Sequence, residues 1–295
     1  SEYSSLRTAG PAGGGYDIEF AWTESIPANA FSYSPLEQVV LPEGIATIGA
    51  RAFYANYDLT SVTLPASLRT IGDHAFWNCD ALTELVLPEG VETIEEDAFS
   101  YCDSLSKIVI PSTVTTMGEG VFTHSELLTT AGPAGGDYNI QLSWREKIPD
   151  NAFYDCYQLT SIVLPEGLTG IGADAFINCD ITEIIIPEGV VSIGADAFLN
   201  CYELSRVTLP ASLETIGSGA FWAVSNLTTA GPVGGDYDLQ LGWNTRIPDY
   251  GLWEFDYLTD ITVPEGVTAI GESAFRLMTR LTSISLPDSL RSIGD

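Results

Sequence analysis

Apolar residues return along this chain at fixed intervals. A representative stretch reads Leu59-Thr-Ser-Val62-Thr-Leu64-Pro65-Ala-Ser-Leu68-Arg-Thr-Ile71-Gly72-Asp-His-Ala75-Phe76-Trp-Asn-Cys79 and restarts at Leu82. Its front half alternates, so Val62 and Leu64 face inward and Ser61 and Thr63 outward on a short strand. Pro65 ends that strand because proline cannot donate to a ladder. The same inward columns recur at Leu82, Leu85 and Leu87, at Leu105, Ile108 and Ile110, and at Leu159, Ile162 and Leu164. The back half places an aliphatic before glycine, five residues ahead of a phenylalanine. The glycine is expected to allow a tight turn, and Ala-Phe to begin a short helical or 3₁₀ turn whose ring plugs the far side of the core. The aliphatic recurs twelve times from Ile26 to Ile293, with a period of 23 residues broken by two steps of 22 and two of 31. Units of this length pack mainly on their neighbours, so the pattern predicts a repeat solenoid. It is expected to be a right-handed coil with a parallel β-sheet on one face and short strands, turns or 3₁₀ segments on the other. About twelve coils of 23 residues would form a single body over 1–295.

Both long steps carry a second motif. Thr130-Ala-Gly-Pro133 through Trp144 precedes Ile148, Thr229-Ala-Gly-Pro232 through Trp243 precedes Ile247, and a third copy runs from Thr8 to Trp22. These define expanded coils at about 8–31, 130–153 and 229–252. In each, a Gly/Pro turn leads into a period-2 segment that puts Tyr16, Ile18, Phe20 and Trp22 on one face and Asp17, Glu19 and Ala21 on the other. Two readings stay open. The rings of Tyr16, Trp22, Tyr138, Trp144, Tyr237 and Trp243 either pack against neighbouring coils, as an alternating aromatic strand usually does, or project with the Gly-Gly loops as a binding edge.

The cysteines fall into the same register. Counting three residues on from each Phe collects Asn56, Cys79, Cys102, Ser125, Cys156, Cys179, Cys201, Val224 and Met278, which accounts for every cysteine. A core column of buried thiols is expected. A vertical disulfide such as Cys79 with Cys102 is the alternative, while spacing of 22 or 23 residues without nearby histidine matches no zinc pattern.

Taken together, Leu-x-x-Ile-x-Leu-Pro-x-x-Leu-x-x-Ile-Gly-x-x-Ala-Phe-x-x-Cys at a 23-residue period resembles the BspA-type (Treponema pallidum type) leucine-rich repeats over almost the whole chain. The resemblance implies a curved, leucine-rich-repeat-like solenoid on secreted or surface proteins of bacteria and some protozoa. Many of these are implicated in adhesion to host or matrix proteins or to other bacteria. It implies no shared catalytic residues.

Charge narrows the partners. Forty Asp and Glu against 11 Lys and Arg give a formal charge of −29, which works against nucleic acid and anionic lipid, since both are bound through basic residues. No apolar run approaches the roughly 20 residues that span a bilayer, and Ser1-Glu-Tyr-Ser-Ser has neither a basic n-region nor an apolar h-region. Acids recur at Glu43, Glu89, Glu166, Glu188, Glu265 and Asp288, and before Ala-Phe at Asp97, Asp174 and Asp196. They read as a solvated face, with weak calcium binding as the sharper alternative; no Asp-x-Asp-x-Asp-Gly loop supports a dedicated site, and no cofactor is expected. His74 and His124 are the only histidines, and neither belongs to a nucleophile, phosphate-loop or zinc-protease motif, so no enzymatic activity is expected.

On the outward side of the sheet one column contains Val86, Val109, Ile185 and Thr208, beside another that contains Lys107 and Arg206. Isolated cations beside a β-branched stripe suit a protein or glycan partner. The expected function is a non-enzymatic recognition module, extracellular or at the cell surface, that binds a macromolecule such as a host or matrix protein. Its rivals are a passive spacer and a carbohydrate-binding surface using Trp22, Trp77, Trp144, Trp222 and Trp243. Neither end reads as a polar cap, so continuation of the native protein or end-to-end self-association is expected.

Overall fold

The computed structural model describes residues 6–295; Ser1–Ser5, where leader features were sought, lie outside them. These residues form two compact units. One extends to Trp144 and takes in Ala152–Gln158, and the other comprises Arg145–Asn151 and Leu159–Asp295. Both are built of short parallel strands, with no helix among the described residues.

In the first unit Gln38–Val40 pairs with Ser61–Thr63, and Glu84–Val86 with Lys107–Ile110, so that Val39 lies beside Val62 and Leu85 beside Ile108 on the core side. In the second unit Glu183–Ile185 pairs with Arg206–Leu209 and Asp260–Thr262 with Ser283–Ser285, in the same register. A second ladder of two-residue strands carries the periodic aliphatic. It runs through Ser25–Ile26, Thr47–Ile48, Thr70–Ile71, Thr93–Ile94 and Thr116–Met117 in the first unit. In the second unit it has two parts, Lys147–Ile148 to Thr215–Ile216 and Arg246–Ile247 to Ser292–Ile293.

The segment around each Phe corrects the helical or 3₁₀ expectation. The residues two before and two after the ring are left-handed in coil after coil: Asn29 and Tyr33 (φ 57° each), Arg51 (56°) and Ala55 (54°), Asp97 (51°) and Tyr101 (57°), Asp196 (52°) and Asn200 (59°). This alternation divides the backbone donors. Ala30, Ser32 and Ser34 close turns onto Pro27, Asn29 and Phe31, while Asn29, Phe31 and Tyr33 donate to Ala50, Ala52 and Tyr54 of the next coil. A helix would direct all of these donors inside one coil; the observed path lets half of them join neighbours. It also explains Asp97, Asp174 and Asp196, because Asp and Asn tolerate positive φ better than most residues.

The glycine after the aliphatic has a different cause from the one expected. Gly49 and Gly72 do not have positive φ; a Cβ at Gly49 would stand 2.7 Å from the Ala28 nitrogen, and one at Gly72 2.8 Å from that of Ala50. Coil spacing, rather than turn geometry, selects glycine there.

Two columns fill the core. Phenylalanines stack as Phe31, Phe53, Phe76, Phe99, Phe122 and Phe153 in the first unit, with centroids 5.4, 5.1, 5.6, 6.1 and 6.4 Å apart. Phe198, Phe221 and Phe255 stack in the second at 5.0 and 4.9 Å. Beside them runs the cysteine column, buried and without a disulfide. Several members reach back to the Phe carbonyl of the preceding coil: Asn56 Nδ2 to Phe31 (2.7 Å), Cys79 to Phe53 (3.3 Å), Cys102 to Phe76 (3.2 Å), Ser125 to Phe99 (2.8 Å) and Cys201 to Phe176 (3.1 Å), whereas Cys156 meets the Tyr154 carbonyl and Gln158 takes that of Phe122. Burial pushes the Cys102 and Cys201 thiols up to about 12 and raises those of Cys79 and Cys156 as well.

Candidate functional site

Each insert contributes two adjacent parallel strands joined by only six residues. Thr8–Pro11 pairs with Ile18–Phe20, Thr130–Pro133 with Ile140–Leu142, and Thr229–Pro232 with Leu239–Leu241. The order within the sheet is reversed relative to the chain. Ile140–Leu142 lies between Lys107–Ile110 and Thr130–Pro133, and Leu239–Leu241 between Arg206–Leu209 and Thr229–Pro232. The chain therefore skips one place in the sheet and then steps back to fill it.

The loop that makes this step crosses the outer face. Outward-facing Glu19 accepts from the Gly13 and Gly15 N–H groups, both at 2.9 Å. Gln141 accepts from Gly135 (3.1 Å) and donates to the Gly136 carbonyl (3.0 Å), and Gln240 does the same with Gly234 and Gly235. An ordinary coil advances round the core side; this loop retreats round the opposite side. Reversing both direction and face preserves the hand of the crossover, which is why so short a connection is compatible with the parallel sheet.

Glycine makes room for the loop's aromatic. A Cβ at Gly10, Gly132 or Gly231 would overlap the ring of Tyr16, Tyr138 or Tyr237. These tyrosines thus lie on the outer face, opposite Phe20, contrary to the alternation read through Tyr16, because the second strand starts only at Ile18. The strand starts are clamped by Asp17, which accepts from Arg7 and Thr8 N–H groups, and by Asp238, which accepts from Thr228 and Thr229. Asn139 fills that role in the middle copy, accepting from the Thr129 and Thr130 hydroxyls. The backbone bonds from Arg7 and Thr8 hold the Asp17 carboxyl below its usual range, and those from Gly13 and Gly15 do so for Glu19. Partial burial raises Asp238, but the Thr228 and Thr229 bonds outweigh it and leave the group lowered.

The insert tryptophans go elsewhere. Trp144 and Trp243 are each 2% exposed, Trp144 against Phe153 at 5.9 Å and Trp243 donating to the Leu213 carbonyl at 2.9 Å. Trp22 is half-buried between Phe20 and Phe31. Trp144 and Trp243 fill the core, while Tyr16, Tyr138 and Tyr237 are half-buried under exposed loop residues at 12–15, 134–137 and 233–236.

Beside the middle loop the first unit has an open groove of about 450 Å³ lined by Glu84, Lys107, Asp137, Tyr138, Asn139 and Gln141. Lys107 makes no ion pair among the described residues, although Glu84 is its neighbour across the sheet. In the second unit Arg206, beside Glu183 and the strand of Asp238, is likewise without an ion pair. Val86 (64% exposed) and Ile185 (68%) extend the outer face past the loops, whereas Val109 and Thr208 are half-buried next to Gln141 and Gln240. The acidic column is partly structural: Glu43 accepts from Ala66 N–H and Glu188 from Ala211 N–H, one coil on. Among the described residues no group of three or more His, Cys, Asp or Glu could hold a metal ion, and no helix is long and apolar enough to cross a membrane.

One cluster superficially resembles a triad. Ser100 donates to Asp97 at 2.6 Å, and Asp97 lies 3.4 Å from the outer nitrogen of His74, whose other nitrogen meets Asp73. The carboxylate stands between hydroxyl and imidazole, so the histidine cannot take the serine proton.

The family model for the BspA type leucine-rich repeat region matches six copies, over residues 24–136, 146–231 and 245–295. The chain belongs to that family. The stretches outside the BspA-type match, residues up to 23, 137–145 and 232–244, fall on the three inserts, although the match still takes in the first half of the middle loop. No curated protein matches the chain. Among solved structures it is similar to a leucine-rich repeat protein from Bacteroides ovatus, with 24% identity, 100% of this chain and 84% of that one covered, and a TM-score of 0.54. A leucine-rich repeat protein of T. pallidum shares 25% identity over 68% of this chain and 78% of its own, with a TM-score of 0.47. A leucine rich cell surface protein of Faecalibacterium prausnitzii shares 23% over 88% and 87%, with a TM-score of 0.45.

Proposed function

We propose that this chain is a non-enzymatic recognition module, secreted or at the cell surface, that binds a macromolecular partner such as a matrix or cell-surface protein through the outer face of its sheet beside the insert loops. One observation carries the reading: Lys107, an unpaired cation on a chain of charge −29, lines a groove walled by the Tyr138 loop. Arg206 recurs in the matching place beside the Tyr237 loop. The position of the two cations beside matching loops supports the reading more than the missing ion pair, which Arg51, Arg69 and Arg280 also lack among the described residues. Exposed Val86 and Ile185 supply apolar contact next to each cation.

The test is surface plasmon resonance of the full chain against a panel of purified extracellular-matrix proteins, with Lys107→Glu and Arg206→Glu alongside. Saturable binding that the paired charge reversals weaken tenfold or more supports recognition through this face. Absence of any saturable partner, or binding indifferent to both reversals, favours the spacer.

A further inference from the structure

The turn face of the first unit carries an aromatic ribbon that neither the core nor the outer-sheet site uses. Its rings are Tyr33, Tyr54, Trp77, Tyr101, His124 and Tyr157, with successive centroids 5.4, 4.6, 5.0, 4.4 and 6.5 Å apart. The sequence compensates to keep the ribbon continuous. Where the residue after the core Phe is aromatic, as at Tyr54 and Trp77, the next is Ala55 or Asn78; where it is Ser32, Ser100 or Thr123, the ring follows at Tyr33, Tyr101 or His124. Those last three are left-handed, with φ of 57°, 57° and 59°. Asn78 holds the same place in the coil before Tyr101, so bulky rings stand where a better-suited residue is available to the fold. Tyr33 is 69% exposed, and Tyr101, His124 and Tyr157 are exposed too, so core packing does not require them.

The joints alternate. Tyr54 with Trp77 and Tyr101 with His124 are stacked, at 5° and 22° between planes, whereas Tyr33 with Tyr54, Trp77 with Tyr101 and His124 with Tyr157 stand at 64°, 53° and 44°. The stack is therefore broken, and a ring face left without a parallel neighbour, once every two coils, a distance of about 10 Å from the strand spacing. Asp80 and Asp103 follow four residues after Phe76 and Phe99, Arg51 lies over the Tyr54 ring at 6.0 Å, and the chain's charge of −29 disfavours polyanions. We propose that the ribbon is a second binding site, for an uncharged, extended β-linked polysaccharide whose disaccharide advances by about that two-coil distance. Sugar CH faces lie on the turned-out rings, and sugar hydroxyls bond to the tyrosine hydroxyls, the Trp77 N–H and the flanking carboxylates.

Isothermal titration of the full chain with cellohexaose, chitohexaose and a hexalysine peptide tests this. The expected result is saturable binding of at least one hexasaccharide, tenfold or more weaker for its disaccharide, and lost by tenfold or more in Tyr101→Asn and in Trp77→Leu. Tyr101→Asn installs the residue that Asn78 already shows to suit this backbone, so its Tm should be unchanged or higher and lost binding would not reflect misfolding. Saturation by neither hexasaccharide, undiminished binding in Tyr101→Asn, or saturation by hexalysine alone would overturn the proposal.

Discussion

Cys79, Cys102 and Cys201 do in this fold what Asn56 and Ser125 do in other coils: each gives a hydrogen to a buried Phe carbonyl one coil back. Cys79→Ser keeps a donor and should change stability by less than about 1 kcal/mol, whereas Cys79→Val leaves the Phe53 carbonyl unpaired and should cost about 1–3 kcal/mol in urea unfolding. With burial holding these thiols protonated, thiol reagents should label them only on unfolding. The column was visible in the sequence because the residues share one offset from Phe. Its chemistry was not, because nothing in a sequence places a carbonyl beside a thiol. Gly72 teaches the same lesson. Its recurrence was plain, but the cause is the backbone of the neighbouring coil, so Gly72→Ala should destabilise by about 1–3 kcal/mol through overpacking although its φ suits alanine.

At the scale of the element, the inserts separate what periodicity can and cannot tell. Alternation correctly sent Phe20 and Trp22 toward the core, but it ran one turn too far and carried Tyr16 with them. It was also silent on strand order, since a period of two fixes faces and says nothing about which neighbour a strand finds. The three clamps differ in a way that predicts graded acid sensitivity. The first loop is held by Asp17 and Glu19, the third by Asp238 with Gln240, and the second by Asn139 with Gln141. Carboxyls lowered in the fold contribute stability above their unfolded pKa and lose it as pH falls through the folded one. On acidification below about pH 4, amide protection should therefore fail first at Gly13 and Gly15, next around Thr228 and Thr229, and last at Gly135. Exchange measured by NMR checks this order, and simultaneous loss at all three would refute it. Gly132→Ala should expel the Tyr138 ring and raise exchange at Gly135 without unfolding the unit.

For the molecule as a whole, the repeat, the parallel sheets and the family were legible from one chain because every coil restates the same columns. The aromatic ribbon escaped because its rings follow the core Phe by one, two or, at Tyr157, four residues and so form no single column in the sequence. The proposed recognition site lies in departures from the repeat, where a sequence offers three copies at most for comparison. A hydrogen-exchange footprint of the full chain, with whichever matrix protein of the panel binds most tightly, tests recognition most directly. Protection is expected over residues 107–109 and 134–141 in one unit and 206–208 and 233–240 in the other. Protection confined to residues outside these segments, or no protection by any member of the panel, would contradict it.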